Sequence, residues 1–167
     1  SLSDANQHSC DGLRDVLGYK YVELFLPPTG EMDALTDEER IGFACHSGGT
    51  LQGVGGPLVG TSRSGRIFDE CEPLDFTGRD EIVPLICDLA PPGETSMPDL
   101  APQIYDILGV EYICQVPLLC GGRVMGSLAI GTTEAKRLPD REKRFLSQFA
   151  EQLALIIAKA RAEEALR

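Results

Sequence analysis

From Val110 to Gly131 the chain carries two apolar, β-branched-rich runs, Tyr112–Leu119 and Val124–Ile130, flanking Cys120-Gly121-Gly122-Arg123. A Gly-Gly pair between two such runs predicts an antiparallel hairpin, because the tight turn needs positive φ at its central positions. After a charged bridge the spacing changes. Leu146, Phe149, Leu153, Ile156 and Ala160 recur at three and four, and Phe145 and Ile157 widen the stripe. That pattern predicts an amphipathic helix from Asp140 to the end. Asp140 and Glu142 fall in its first turn, where the helix dipole favours acidic groups. Beyond Ala160 the stripe yields to Arg161, Glu163, Glu164 and Arg167, and no glycine or proline stop follows. The expectation is a helix that begins on the domain, leaves it, and continues into further chain.

The preceding chain divides by the same signals. Ser1–Gly18 predicts a short helix with Leu13, Val16 and Leu17 on one face and Gly18 as its stop. Tyr19–Leu26 alternates and is rich in strand formers, so it reads as a first strand, followed by a Pro27-Pro28-Thr29-Gly30 turn. Arg40–His46 reads as a second strand, able to pair with the first across a long connection. Ser47–Gly60 is glycine-rich but has no lysine, and its glycines do not open a helix. It fits neither the phosphate-loop nor the dinucleotide pattern and reads as a surface loop. Leu74–Pro98, with Pro84, Pro91, Pro92 and Pro98, reads as irregular. Asp99–Leu108 reads as a helix capped by Asp99, with Leu100, Ile104, Ile107 and Leu108 as its face and Gly109 as its stop.

Composition narrows the functional classes. At 167 residues and 43% hydrophobic, the chain suits one domain with a sizeable core. No apolar run approaches a membrane span and no basic-then-apolar start suggests a signal peptide, so no membrane contact by this segment is expected. The net charge of −11 repels phosphate backbones and argues against nucleic acid. None of the six cysteines is spaced Cys-x-x-Cys, which argues against a metal site. Reduced thiols in a cytoplasmic location are the expectation, most of them small buried hydrophobes.

The ordered combination Val116-Pro-Leu, Gly122-Arg-Val-Met-Gly-Ser-Leu-Ala-Ile-Gly131, Leu138-Pro-Asp140 and Phe145-Leu-Ser-Gln-Phe-Ala-Glu-Gln-Leu-Ala-Leu-Ile-Ile-Ala158 covers about a third of the chain. It resembles the C-terminal half of a GAF domain, of the type found in bacterial sensor histidine kinases and formate-hydrogenlyase-activator-like regulators. The resemblance implies an α+β fold: an antiparallel β-sheet with N- and C-terminal helices packed on one face and loops or short helices over the other. It implies one domain over residues 1–167, with 158–167 the start of a signalling or linker helix. By the same resemblance, Thr61–Asp69 would hold a short helix ending at Gly65 and a strand at Ile67-Phe68.

The motifs of enzymatic and cofactor-bearing relatives of that family are absent or misplaced in this sequence. Bilin-attaching relatives carry Cys-His on a late helix, whereas Cys45-His46 precedes the glycine-rich stretch. His8 lies in a polar segment and is expected to be exposed. In free methionine sulfoxide reductases a catalytic Cys-Asp lies close before the hairpin proline, but Cys87-Asp88 lies thirty residues before Pro117. The cyclic-nucleotide signature Asn-Lys-Phe-Asp-Glu is absent, with Phe68-Asp69-Glu70 following Arg66-Ile67. Glu38-Glu39 and Glu163-Glu164 read as solvated faces. The expectation is therefore a non-catalytic sensory domain of a two-component or related regulator, with no cofactor named. Its C-terminal helix would relay the bound state to an output domain and form a coiled-coil seam in a homodimer. A small-molecule ligand would be lined by Phe68, Cys71, Ile86, Tyr105, Tyr112 and Cys114, whose aromatic rings give stacking surface and whose tyrosines give polar handles. The competing expectations are a ligand-free dimerisation module, and a cysteine-based redox sensor or reductase-like enzyme. A pocket filled with side chains under Leu74–Leu108 would favour the first of these.

Overall fold

The computed structural model describes residues 2–26, 43–47, 66–88 and 95–167. The expected second-strand residues 40–42, the Pro27–Gly30 turn, Gly65 and the glycine-rich stretch after Ser47 lie outside them. The elements run α1 (Leu2–Leu17), β1 (Tyr21–Leu26), β2 (Phe43–Ser47), α2 (Arg66–Glu70), β3 (Leu74–Thr77), α3 (Gly78–Cys87), α4 (Met97–Leu108), β4 (Tyr112–Cys120), β5 (Arg123–Thr132) and α5 (Asp140–Ala165).

The strands form one antiparallel sheet in the order β2-β1-β5-β4-β3. Its centre is the β4–β5 hairpin, closed by Gly121 and Gly122 at φ 60° and 77°, the left-handed values that a two-residue turn matching strand twist requires. Near the turn, Leu119 pairs with Val124 but Leu118 with Gly126, so Met125 is an extra residue in the ladder. Gly126 is obligatory beside this bulge: a Cβ there would lie 2.3 Å from the Phe25 carbonyl oxygen.

Strand alternation sends side chains to two cores, one on each face. On the first face Val22, Leu24, Leu26, Tyr112, Cys114, Val116, Leu118, Leu128 and Ile130 meet α1 through Cys10 and Leu13. They meet α5 through Leu146, Ala150, Leu153, Ala154 and Ile157. The alanines permit close approach of α5, and each fully buried Leu or Ile stabilises by about 1.5–3 kcal/mol. On the second face Leu74, Phe76 and Val110 pack against Ile67 of α2, Ile82, Leu85 and Ile86 of α3, and Ala101, Tyr105 and Leu108 of α4.

Several expectations are corrected. Ile67-Phe68 is helical within α2, where Arg66 and Glu70 form an i,i+4 pair at 3.8 Å; a two-residue apolar run cannot distinguish strand from helix. Within Leu74–Pro98, the expected irregular stretch, Leu74–Cys87 is regular, formed by β3 and α3 with Pro84 inside the helix, and residues 89–94 lie outside the described ones. Helix α4 starts at Met97, before Asp99, and tolerates Pro98 in its first turn because the missing N–H has no partner there. Its buried face is Ala101, Tyr105 and Leu108, and Leu100 and Ile107 are exposed. Gly109 does end it, at φ 62°. Among the described side chains of α1, Cys10 and Leu13 are buried, while Val16 is 82% exposed. In α5 Phe145 and Ile156 face outward, at 48% and 62% exposure.

Candidate functional site

The residues expected to line one ligand site are divided by the sheet. Tyr112 and Cys114 are buried in the first core against α5, while Ile86 and Tyr105 are buried in the second. Six residues so placed cannot line one cavity, and Tyr112 and Cys114 are removed from the set by the parity of β4. Phe68 lies on α2, which packs across β4 and β5. Cys71 is half-buried just beyond α2, at φ 56°, its N–H donating to the Ile67 carbonyl at 3.1 Å.

The polar handles of the two tyrosines are already engaged. Tyr105 donates its hydroxyl to Glu111, and Arg79 lies over its ring at 5.4 Å from the centroid while pairing with Asp106 at 3.0 Å. Loss of hydration and then the Glu111 carboxylate push the Tyr105 phenol up to about 12. Tyr112 donates to Asp75, which Lys143 of α5 also holds at 2.8 Å. Burial raises the Tyr112 phenol, and the Asp75 hydrogen bond raises it further. For Asp75 burial acts upward, but the hydrogen bonds from Lys143 and Tyr112 and the charges of Lys143 and Arg137 more than offset it, holding the carboxyl below its ordinary range. The Cys114 thiol is pushed up to about 11, chiefly by burial. The space beneath α3 and α4 is filled by the second core, which weakens the idea of a pocket there.

A different part of the second face has the character of a site. Register places Glu23 opposite Ala129, Ala129 opposite Gln115, and Gln115 opposite Leu74, with His46 at the corresponding position of β2. The adjacent row is Phe25, Ser127 and Pro117. Gln115 and Ser127 are 4% and 2% exposed, and with Phe25 and Ala129, also buried, they belong to neither apolar cluster. Tyr21 donates to Glu23 Oε2 at 2.6 Å, and its phenol is raised well above its ordinary value by burial, then by the Glu23 charge and hydrogen bond. Ser127 makes no side-chain hydrogen bond to a described residue. A buried hydroxyl without a partner costs about 1–3 kcal/mol, so this row of amide, carboxylate and hydroxyl is equipped to hold polar atoms of a small molecule.

Sequence reading missed Tyr21, Glu23, Gln115 and Ser127. The signal was weak: antiparallel strands commonly alternate apolar and polar positions, so Glu23, Gln115 and Ser127 read as outward-facing, and only burial in the fold marks Gln115 and Ser127 as exceptions.

Among the described residues no group of three His, Cys, Asp or Glu is arranged to hold a metal. Cys10, Cys71, Cys87, Cys114 and Cys120 are free thiols. No described helix is long and apolar enough to cross a membrane.

The GAF domain family model matches residues 1–157. No curated protein matches the sequence. Solved structures are similar at low identity. The GAF domain of a phosphoenolpyruvate-protein phosphotransferase from Coxiella burnetii is 20% identical, with a TM-score of 0.68 over 99% of this chain and 87% of that one. A domain assigned to a two-component sensor histidine kinase from Sinorhizobium meliloti is 18% identical, with a TM-score of 0.60 over 100% and 97%. The free methionine-R-sulfoxide reductase of Neisseria meningitidis, solved with its substrate, is 15% identical, with a TM-score of 0.64 over 98% and 81%.

Proposed function

The chain belongs to the GAF domain family, and we propose that it is a non-catalytic, cytoplasmic sensory domain of a bacterial signalling protein, such as a histidine kinase, that binds a small polar molecule. GAF domains are in general sensory or regulatory domains that bind small molecules. The ligand lies on the second face of the sheet, against Glu23, Gln115 and Ser127, with Tyr21 positioning Glu23. Cys71, just beyond α2, and Ile86 and Tyr105 of the second core form its apolar flank. The observation that carries this reading is Ser127, 2% exposed and without a hydrogen bond to any described residue, next to the equally buried Gln115.

Output passes through α5. Occupation of the second face biases the arrangement of the helices on the first by no more than the ligand's differential affinity for the two states. The physical link is the Lys143–Asp75–Tyr112 cluster, which ties α5 to β3, the strand that runs directly into α3. The exposed side of α5 carries Phe145 and Ile156, eleven positions and so about three turns apart. With Val16 of α1 this strip forms a homodimer seam, continued by residues 158–167 as the start of a coiled linker to an output domain. A thiol enzyme needs a thiolate, and burial of Cys114 opposes one.

Native mass spectrometry of protein purified from its own host, beside a denatured sample, tests the reading. The expected result is a mass excess that disappears on denaturation and falls at least tenfold in occupancy in Ser127→Ala and Glu23→Gln variants that melt normally. An excess unaffected by both variants, or turnover of free methionine-R-sulfoxide, would overturn it.

A further inference from the structure

A second candidate site lies away from that face of the sheet. A cleft of about 880 Å³ opens where the end of α1, the Gly18–Lys20 turn, the end of β5 and the segment leading into α5 converge. Small-molecule sites have volumes of about 300–1,000 Å³. The cleft is separate from the sheet-face site: none of Glu23, Gln115 or Ser127 lines it.

Its charge is out of keeping with the rest of the chain. Against a net charge of −11, its lining brings together Arg14, Lys20, Lys136 and Arg137 with only Asp15, Glu134 and Glu142. Two of these acids are already engaged. Asp15 pairs with Arg14 at 3.2 Å, and Glu142 accepts the Tyr19 hydroxyl at 2.7 Å. Lys20, Lys136 and Arg137 form no ion pair with a described residue. The 26-residue α5 starts at the cleft wall, with Pro139 in the N-cap position and no side-chain cap. Asp140 and Glu142 in its first turn already meet the helix dipole, so the positive potential of the cleft comes from the three cations. Tyr19 and Leu138 give the same cleft an apolar component.

We propose that this cleft binds a small, multiply charged anion bearing carboxylate or phosphate groups, held by Lys20, Lys136 and Arg137. Carboxylates and phosphates share the chemistry those groups recognise, charge-assisted hydrogen bonding from ammonium and guanidinium. Because the cleft joins the end of α1 to the start of α5, such an anion acts on the terminal helices directly. It is an input separate from the sheet-face ligand and does not depend on that site.

The test is calorimetric titration of the whole chain with pyrophosphate and, separately, citrate, at two potassium chloride concentrations, with amide chemical-shift mapping. Saturable binding is expected, with shifts centred on Gly18, Lys20, Thr133 and Lys136. Lys136→Ala and Arg137→Gln each weaken it at least fivefold, while Glu134→Gln tightens it. These side chains are exposed, so folding is retained. Preference for one probe assigns the anion's class. Absence of saturation with both probes, shifts spread over the surface, or equal affinity in all three variants would overturn the assignment.

Discussion

Asp75 offers the sharpest test of how the two faces of the sheet are joined. Its carboxylate is 13% exposed, receives Lys143 Nζ at 2.8 Å and accepts the Tyr112 hydroxyl, while the Lys143 side chain is 21% exposed. Asp75→Asn keeps the shape and removes the charge. Hydrogen bonds to charged groups contribute about 1.5–3 kcal/mol, and breaking a fully buried pair costs about 3–5 kcal/mol. Partial exposure lets water relieve the stranded ammonium, so a loss of about 2–3 kcal/mol is expected. At about 2–4 °C per kcal/mol for a chain of this size, the midpoint falls by about 5–10 °C. Circular dichroism melts and urea titrations measure it, and a double-mutant cycle with Lys143→Met should return a coupling of about 1–2 kcal/mol. The pH dependence has a definite sign. The folded carboxyl is held below its ordinary value, so its contribution is fully present above about pH 4 and is lost as pH falls through the folded pKa. The gap between wild type and Asp75→Asn should therefore be flat at neutral pH and close in acid. A variant within about 0.5 kcal/mol of wild type at pH 7, the scatter of ordinary surface substitutions, would refute the role given to this cluster.

Other expectations follow from single positions. Gly126→Ala places a methyl 2.3 Å from a backbone oxygen and should cost about 1–3 kcal/mol by urea titration. Gly12→Ala, in the middle of α1 with nothing within 4 Å, should instead stabilise by about 0.5–1 kcal/mol. In thiol-labelling kinetics at pH 7, Cys10 and Cys114, each 1% exposed, should react only on unfolding, whereas half-buried Cys71, Cys87 and Cys120 react in the folded state. Ile156→Glu and Phe145→Glu should weaken self-association at least tenfold in sedimentation velocity, with little change in melting temperature.

The hairpin and the terminal helices were legible because their signals are local. Two adjacent glycines allow few alternatives to a tight turn, and three-four spacing sustained from Leu146 to Ala160 outweighs any single exception. The rotation of a helix is harder to read. In α5 the sheet takes Ala150 and Ala154, which carry little hydrophobic weight, and leaves the larger Phe145 and Ile156 outside. In α4 the same bias favoured Leu100 and Ile107 over Ala101 and Tyr105. Prolines obscured α3 and the start of α4, because Pro84 occurs where helix was least expected. The site was half hidden for a different reason. Choosing aromatics and cysteines by chemistry alone ignored strand parity, which sends Tyr112 and Cys114 to one face and Gln115 to the other. Parity needs only the sequence and a firm strand, and both were available for β4.

The position of β5 between β1 and β4 also sets a timetable for folding. Leu24 pairs with Leu128, about a hundred residues later. A ribosome adding about 5–20 residues per second needs about 5–20 s to supply that partner. Until then β1 lacks its central neighbour, and the apolar faces of β1 and α1 have no α5-backed sheet to join. The β4–β5 hairpin and α5, contiguous in sequence, can associate as soon as they emerge. The C-terminal third is thus the natural nucleus and the N-terminal strands are late arrivals. A truncation ending before β5 should yield a chain dependent on chaperones, not a smaller folded domain.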